Sequence, residues 1–298
     1  MSGKERLLFE SPSMFDRLTV TEGDDGLRTP WFGRQRVRHG VAKLAEPAHL
    51  ESPCVPVMLA GLALARPLRD VWMIGLGAGV IPRFVRAYLP AATVEVVEID
   101  PLVIDVARRF FAVEADERLR IHEGDGRKLL AAGIRPQDAV ILDGHGLGGV
   151  PGTFDLRIPG ERARGAGPVG VVVANVWSAA ANRHYDATLA TYREVFERVH
   201  VLDVVGLGNK IIIASAEPGA LTREEVVARA HALSPSSGCR SIWGCTSTAF
   251  TPSTICAFAP ARSATRRSHG DAPAAASARR SAAISANTGS HVRVALWR

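Results

Sequence analysis

The chain has 298 residues, 47% of them hydrophobic, enough for one large domain or two modest ones around a sizeable core. Its formal charge of +6 is unevenly spread: residues 234–298 hold eight Arg, no Lys and one acid, Asp271, so that stretch carries +7 and the preceding 233 residues sum to about −1. A near-neutral body removes the electrostatic case for a nucleic-acid partner. Three of the four cysteines (Cys239, Cys245 and Cys256) fall in the basic stretch without C-x-x-C spacing, so neither a metal site nor a disulfide framework is expected. The first ten residues are charged, and the longest apolar run, 54–65, stops at Arg66, which reads as a soluble, cytoplasmic protein without membrane contact.

In chain order, residues 15–41 carry F-D-R-L-T-V-T-E, a Gly23-Asp24-Asp25-Gly26 turn and L-R-T-P-W-F-G, which predicts a small N-terminal β-hairpin domain within 1–50. A continuous aliphatic run predicts a buried helix over 56–64. Short β-branched runs at 71–74, 93–99, 119–122, 139–142 and 169–174 then alternate with helical patterns, the signature of an α/β, doubly wound, mostly parallel sheet. A helix is expected from about Pro82, and another starts with Asp100 as N-cap and Pro101 at its first position. A helix over 185–199 precedes a closing antiparallel pair, 201–205 and 210–215, around Gly206-Leu207-Gly208-Asn209. Thr222 and Glu225 form a capping box for a last helix with Val226, Val227, Ala230 and Leu233 on one face.

After Leu233 twelve Ser, eight Arg and one Leu leave no period of two or 3.6, so 234–298 reads as a disordered basic tail following a nucleotide-binding catalytic domain over 51–233. An out-of-frame reading of a GC-rich gene would yield the same composition. Resequencing the gene tests that alternative, which fails if the open frame is intact and no other frame continues the helix.

The predicted nucleotide site rests on three strand ends. Gly75, Gly77 and Gly79 follow the strand at 71–74, where a ligand can approach the backbone closely. Glu98 ends the next strand and could accept hydrogen bonds from both ribose hydroxyls, as in nicotinamide-binding sheets. Those sheets want G-x-G-x-x-G; Val80 occupies the third glycine position here, so the spacing favours a sulfonium nucleotide of the S-adenosylmethionine type. Asp125 and Gly126 follow the third strand, where the Asp side chain and a backbone N–H could read the adenine edge; a helix N-cap is the alternative reading of Asp125.

The motifs I-G-L-G-A-G-V-I-P-R-F, V-E-V-V-E-I-D-P, H-E-G-D-G-R and V-I-L-D-G-H-G, with V-A-N-V-W-S and G-N-K-I-I-I-A further on, resemble the spermidine synthase (polyamine aminopropyltransferase) family over roughly residues 15–216. The resemblance implies a Rossmann-like domain of class I methyltransferase type and an N-terminal β domain used in assembling a homodimer or higher homo-oligomer. It also implies decarboxylated S-adenosylmethionine as donor, a small-molecule amine as acceptor, and Asp143 as the catalytic base; an Asp that merely holds the following loop is the alternative. The chain departs from the family pattern at Ala78 and Gly146, where acids are usual, and at Phe15-Asp16, where Tyr-Gln is common. Methyl transfer from intact S-adenosylmethionine, or a non-catalytic nucleotide-binding relic, would accommodate the lost acids. His145 could replace one of the lost functions as a base or hydrogen-bond partner, or is simply a solvated loop residue.

Overall fold

The computed structural model describes residues 4–144, save Phe15, Gln35, His39, Ala48, Gly133, Ile134 and Pro136, then residues 170–215, save Val205, together with Glu225. The predicted helix after Thr222, apart from Glu225, and the tail from 234 lie outside the described residues, as do His145 and Gly146.

The chain opens with an antiparallel sheet in the order β1 (Glu5–Ser13), β2 (Asp16–Gly23), β3 (Leu27–Phe32), β4 (Val37–Arg38), with β5 (Ala42–Lys43) also pairing with β3. The expected turn lies between β2 and β3: the Gly26 N–H donates to the Gly23 carbonyl at 2.9 Å, and the Asp25 carboxylate accepts from the Leu27 N–H at 3.1 Å. Strand β1 was not foreseen. Its charges face water while Leu8 and Phe9 pack on the core, Phe9 lying 5.5 Å from the Phe110 ring.

The second sheet has seven strands in the order β11 (Arg198–Asp203), β12 (Asn209–Ser215), β10 (Val171–Trp177), β9 (Ala139–Leu142), β6 (Asp70–Ile74), β7 (Thr93–Glu98), β8 (Leu119–Glu123). Strands β8, β7, β6, β9 and β10 run parallel, and β12 pairs antiparallel with both β10 and β11. Both faces are covered, which explains the near-continuous apolar strands. Met73, Val96, Ile141, Val173 and Ile213 face α1 (Cys54–Leu62), α2 (Val80–Tyr88) and α3 (Pro101–Phe110). Trp72, Val97, Leu142, Val172 and Ile212 face α4 (Gly126–Ala132) and α5 (Tyr185–Val195).

Several boundaries differ from expectation for local reasons. Helix α2 starts two residues early, because left-handed Gly79 caps it and Pro82 still falls in the first turn, where its missing N–H costs nothing. At its C-terminal end, Arg118 donates to the carbonyls of Arg86 in the last turn and of Leu89 and Ala92 just beyond it. Helix α3 begins as predicted, with the Asp100 carboxylate accepting from the Leu102 N–H at 2.9 Å. Helix α5 ends at Val195, not 199, since residues from Arg198 alternate buried and half-buried as strand β11.

Candidate active site

From β6 the chain winds outward through β7 and β8, then returns to place β9 on the other side of β6. Such a reversal leaves a crevice at the carboxyl ends of the two strands, where open α/β sheets bind ligands. A cleft of about 570 Å³ opens there, walled by the turn after β6, the ends of β7, β9 and β10, and the N-terminal sheet through Phe32, Arg38 and Gly40. That size suits a small-molecule ligand.

Gly75, Gly77, Glu98, Asp125, Gly126 and Asp143 all line it. Gly75 has φ +91°, and a Cβ there would lie 2.6 Å from the Asp143 carbonyl oxygen, so this glycine lets the ends of β6 and β9 close together. Gly79 is not among the lining residues. It turns toward the core instead, where a Cβ would stand 2.3 Å from Val113 Cγ2.

Glu98 is buried. One carboxylate oxygen accepts from the Leu76 N–H at 2.9 Å, tying the glycine turn to β7, and the other accepts from the Asp100 N–H at 3.0 Å. Burial nevertheless pushes its carboxyl above the ordinary 4.5, against the pull of these backbone donors. An acidic group so placed gains from further hydroxyl donors, and each oxygen has a second lone pair. Asp125 accepts from the Arg127 N–H at 2.9 Å at the start of α4 and pairs with the Arg127 guanidinium. Although partial burial opposes it, the Arg127 contacts hold this carboxyl below 3.8. Asp125 thus caps α4 and also lines the cleft.

Asp143 directly follows β9, its N–H donating to the Ile74 carbonyl at 3.0 Å. Its Oδ1 accepts from Asn175 Nδ2 at 2.9 Å, and Asn175 Oδ1 accepts from Asn209 Nδ2 at 2.9 Å. The carboxylate is therefore oriented through β10 and β12. Cys54, at the start of α1, is buried in the same wall; burial first, and the Asp143 charge second, push its thiol up to about 12. Sequence reasoning assigned no role to Asn175, Asn209, Cys54 or Arg38. A polar Asn within V-V-V-A-N-V-W was the available signal, because a buried polar group in an apolar strand needs a partner.

Ala78 stands where the resembled family places an acid, and it is buried with its Cβ 3.2 Å from the position a Cβ on Gly40 would take. Among the described residues no group of three His, Cys, Asp or Glu side chains is arranged to hold a metal ion, and no helix is long and apolar enough to cross a membrane.

The Spermine/spermidine synthase domain matches residues 56–175. A polyamine aminopropyltransferase of Vibrio vulnificus is 28% identical over 219 residues, covering 71% of this chain and 73% of that protein. Over that stretch the chain is similar to the spermidine synthase family. Among solved structures of similar fold, a probable spermidine synthase from Corynebacterium glutamicum has a TM-score of 0.62 at 21% identity, covering 78% of this chain and 87% of its own. Human methyltransferase-like protein 13, in complex with SAH, has a TM-score of 0.50 at 25% identity, covering 61% and 90%. The relatives named here are transferases or methyltransferase-like proteins on a sheet of the same type, and this chain is a transferase.

Proposed function

We propose that the cleft holds an S-adenosylmethionine-type sulfonium nucleotide and alkylates an amine that Asp143 deprotonates. The glycine turn and Glu98 take the nucleoside, the Glu98 carboxylate accepting from the ribose hydroxyls, with Asp125 at the adenine end. An alkylamine with a pKa of about 10 is protonated at neutral pH and has no lone pair to offer. Asp143 takes its proton; the nitrogen lone pair attacks the carbon next to sulfur, the C–S bond breaks, and its electron pair stays on sulfur as a neutral thioether. A positioned base of this kind contributes about 10²- to 10⁴-fold.

The observation that carries the reading is the Asp143 carboxylate, oriented by Asn175 at the strand-order reversal, in one cleft with Gly75 and Glu98. In its polyamine form, supported by the aminopropyltransferase relative, the donor is decarboxylated S-adenosylmethionine and the group moved is aminopropyl. A second form, methyl transfer from the intact donor, is favoured by Ala78 buried against Gly40, since the turn then offers no counter-charge to an ammonium tail. The exposed Leu7 and Met14 support self-association through the N-terminal sheet.

Mass spectrometry of products from an amine panel, with either donor, tests the reaction. Wild-type protein should yield an alkylated amine and a nucleoside thioether. Asp143→Asn should lose at least about 10²-fold in rate. An unchanged rate in this variant removes Asp143 from the mechanism, and no product with any amine favours a protein that only binds.

A further inference from the structure

The charges lining the cleft are not all spoken for. Asp125 is paired with Arg127; Glu98 holds the Leu76 and Asp100 N–H groups; Asp100 accepts from the Leu102 N–H at 2.9 Å and from Ser13 Oγ at 2.5 Å; Asp143 holds Asn175. Arg38 differs. It lines the cleft from the last position of β4, it is exposed, and among the described residues its side chain has no ion-pair or hydrogen-bond partner. Its backbone is fixed by register, with Arg38 opposite Trp31 and Val37 opposite Phe32.

Two residues on, Gly40 has φ +105° and stands directly over Ala78. Ala78 is 2% exposed, so a carboxylate grown from that position would be desolvated against the Gly40 backbone. On the side of the N-terminal sheet the cleft is lined by Phe32, Val37, Arg38 and Gly40, so that wall presents a guanidinium and no carboxylate. A decarboxylated sulfonium donor carries two positive charges and no negative one. An intact donor ends in a carboxylate, the planar partner to which a guanidinium can give two parallel hydrogen bonds.

We infer that Arg38 sets donor specificity: it binds the carboxylate of an amino-acid tail on the sulfonium nucleotide, so the cleft takes the intact donor in preference to the decarboxylated one. This rests on the sulfonium-nucleotide reading above and names which member of that class enters.

Calorimetry with three stable nucleosides separates the claims. 5′-Methylthioadenosine has no tail, S-adenosylhomocysteine has an amino-acid tail, and decarboxylated S-adenosylhomocysteine has an ammonium tail alone. Wild-type protein should bind S-adenosylhomocysteine about ten- to a hundredfold more tightly than its decarboxylated form, the range expected of one hydrogen-bonded charge pair. Arg38→Ala should abolish that preference, Arg38→Lys should keep part of it, and neither should change the affinity for 5′-methylthioadenosine by more than about twofold. If 5′-methylthioadenosine binds but wild-type protein prefers the decarboxylated tail, or if Arg38→Ala keeps the full preference, the role of Arg38 is refuted and the nucleotide site stands. If none of the three binds, the nucleotide site itself is refuted, and the inference falls with it.

Discussion

Replacing Gly75 by Ala probes the coupling between the glycine turn and Asp143, the proposed base. A side chain at φ +91° carries a backbone penalty of about 1–2 kcal/mol. The new Cβ would lie 2.6 Å from the Asp143 carbonyl oxygen and 3.0 Å from the Gly144 nitrogen, so the ends of β6 and β9 must part by several tenths of an ångström. Overpacking of that kind costs about 1–3 kcal/mol. Together these give a loss of about 2–5 kcal/mol, read as a lower urea midpoint with an unchanged slope. The displacement falls on the residue bearing the carboxylate, and a shift approaching 1 Å in a catalytic group costs up to about 10² in rate. Gly75→Ala should therefore lower kcat about ten- to a hundredfold under conditions where the protein is fully folded. Gly61→Ala serves as the control: a Cβ there would meet Val173 Cγ2 at 2.7 Å, inside the core between α1 and β10. It should lower the urea midpoint too, yet leave kcat within about twofold. Equal kcat losses in both variants, or full kcat in Gly75→Ala, would refute the idea that this glycine sets the position of the base.

Three further outcomes are expected. Asn175→Ala removes the donor to Asp143 Oδ1 and strands Asn209, so the acidic limb of the kcat/KM profile should move to higher pH with little change in nucleoside affinity; an unmoved limb would show that Asn175 is only structural. Burial has already raised the Glu98 carboxyl, and sugar hydroxyls favour its ionised form, so its pKa should fall on binding. Adenosine-type ligands should then bind at full strength above the free-protein pKa and lose up to about tenfold per pH unit below it, with proton release in that window; calorimetry in buffers of different ionisation heat would contradict this by finding no proton exchange. Cys54, with its thiol pushed up to about 12 from an ordinary 9.0, should react with iodoacetamide ~10³-fold more slowly than an unperturbed thiol at pH 8, and peptide mapping that finds it among the fast-labelled cysteines would exclude the buried placement.

Much of the sheet was legible because its strands are short apolar runs punctuated by glycine turns, and 139–142 coincides with β9. The start of α3 was equally plain, since Asp100 and Pro101 are each suited to only one end of a helix. Strand β1 escaped notice because its pairing with β2 matters more than its own charged pattern, in which only Leu8 and Phe9 turn inward. The end of α5 was misplaced because Arg198 is itself buried in the strand that follows, and a buried Arg does not look like the start of one. In the site, the strand-end residues that spacing singled out line one cleft, save Gly79. The partners that orient them were not legible: Asn175 and Asn209 lie on antiparallel neighbours 34 residues apart, and nothing local links them to Asp143. The work of Glu98 in binding backbone N–H groups is hidden for the same reason, as is the approach of Gly40 to Ala78 from another sheet.

The relay from Asn209 through Asn175 to Asp143 crosses three side-by-side strands, β12, β10 and β9, and never leaves regular sheet until its last member. Strands buried on both faces exchange their amide hydrogens only through the rarest, most extensive openings of a fold. The aim of the Asp143 carboxylate is thereby set by sheet buried on both faces. Loops around the mouth can vary in length and composition and change what enters, while the direction in which that carboxylate points stays the same.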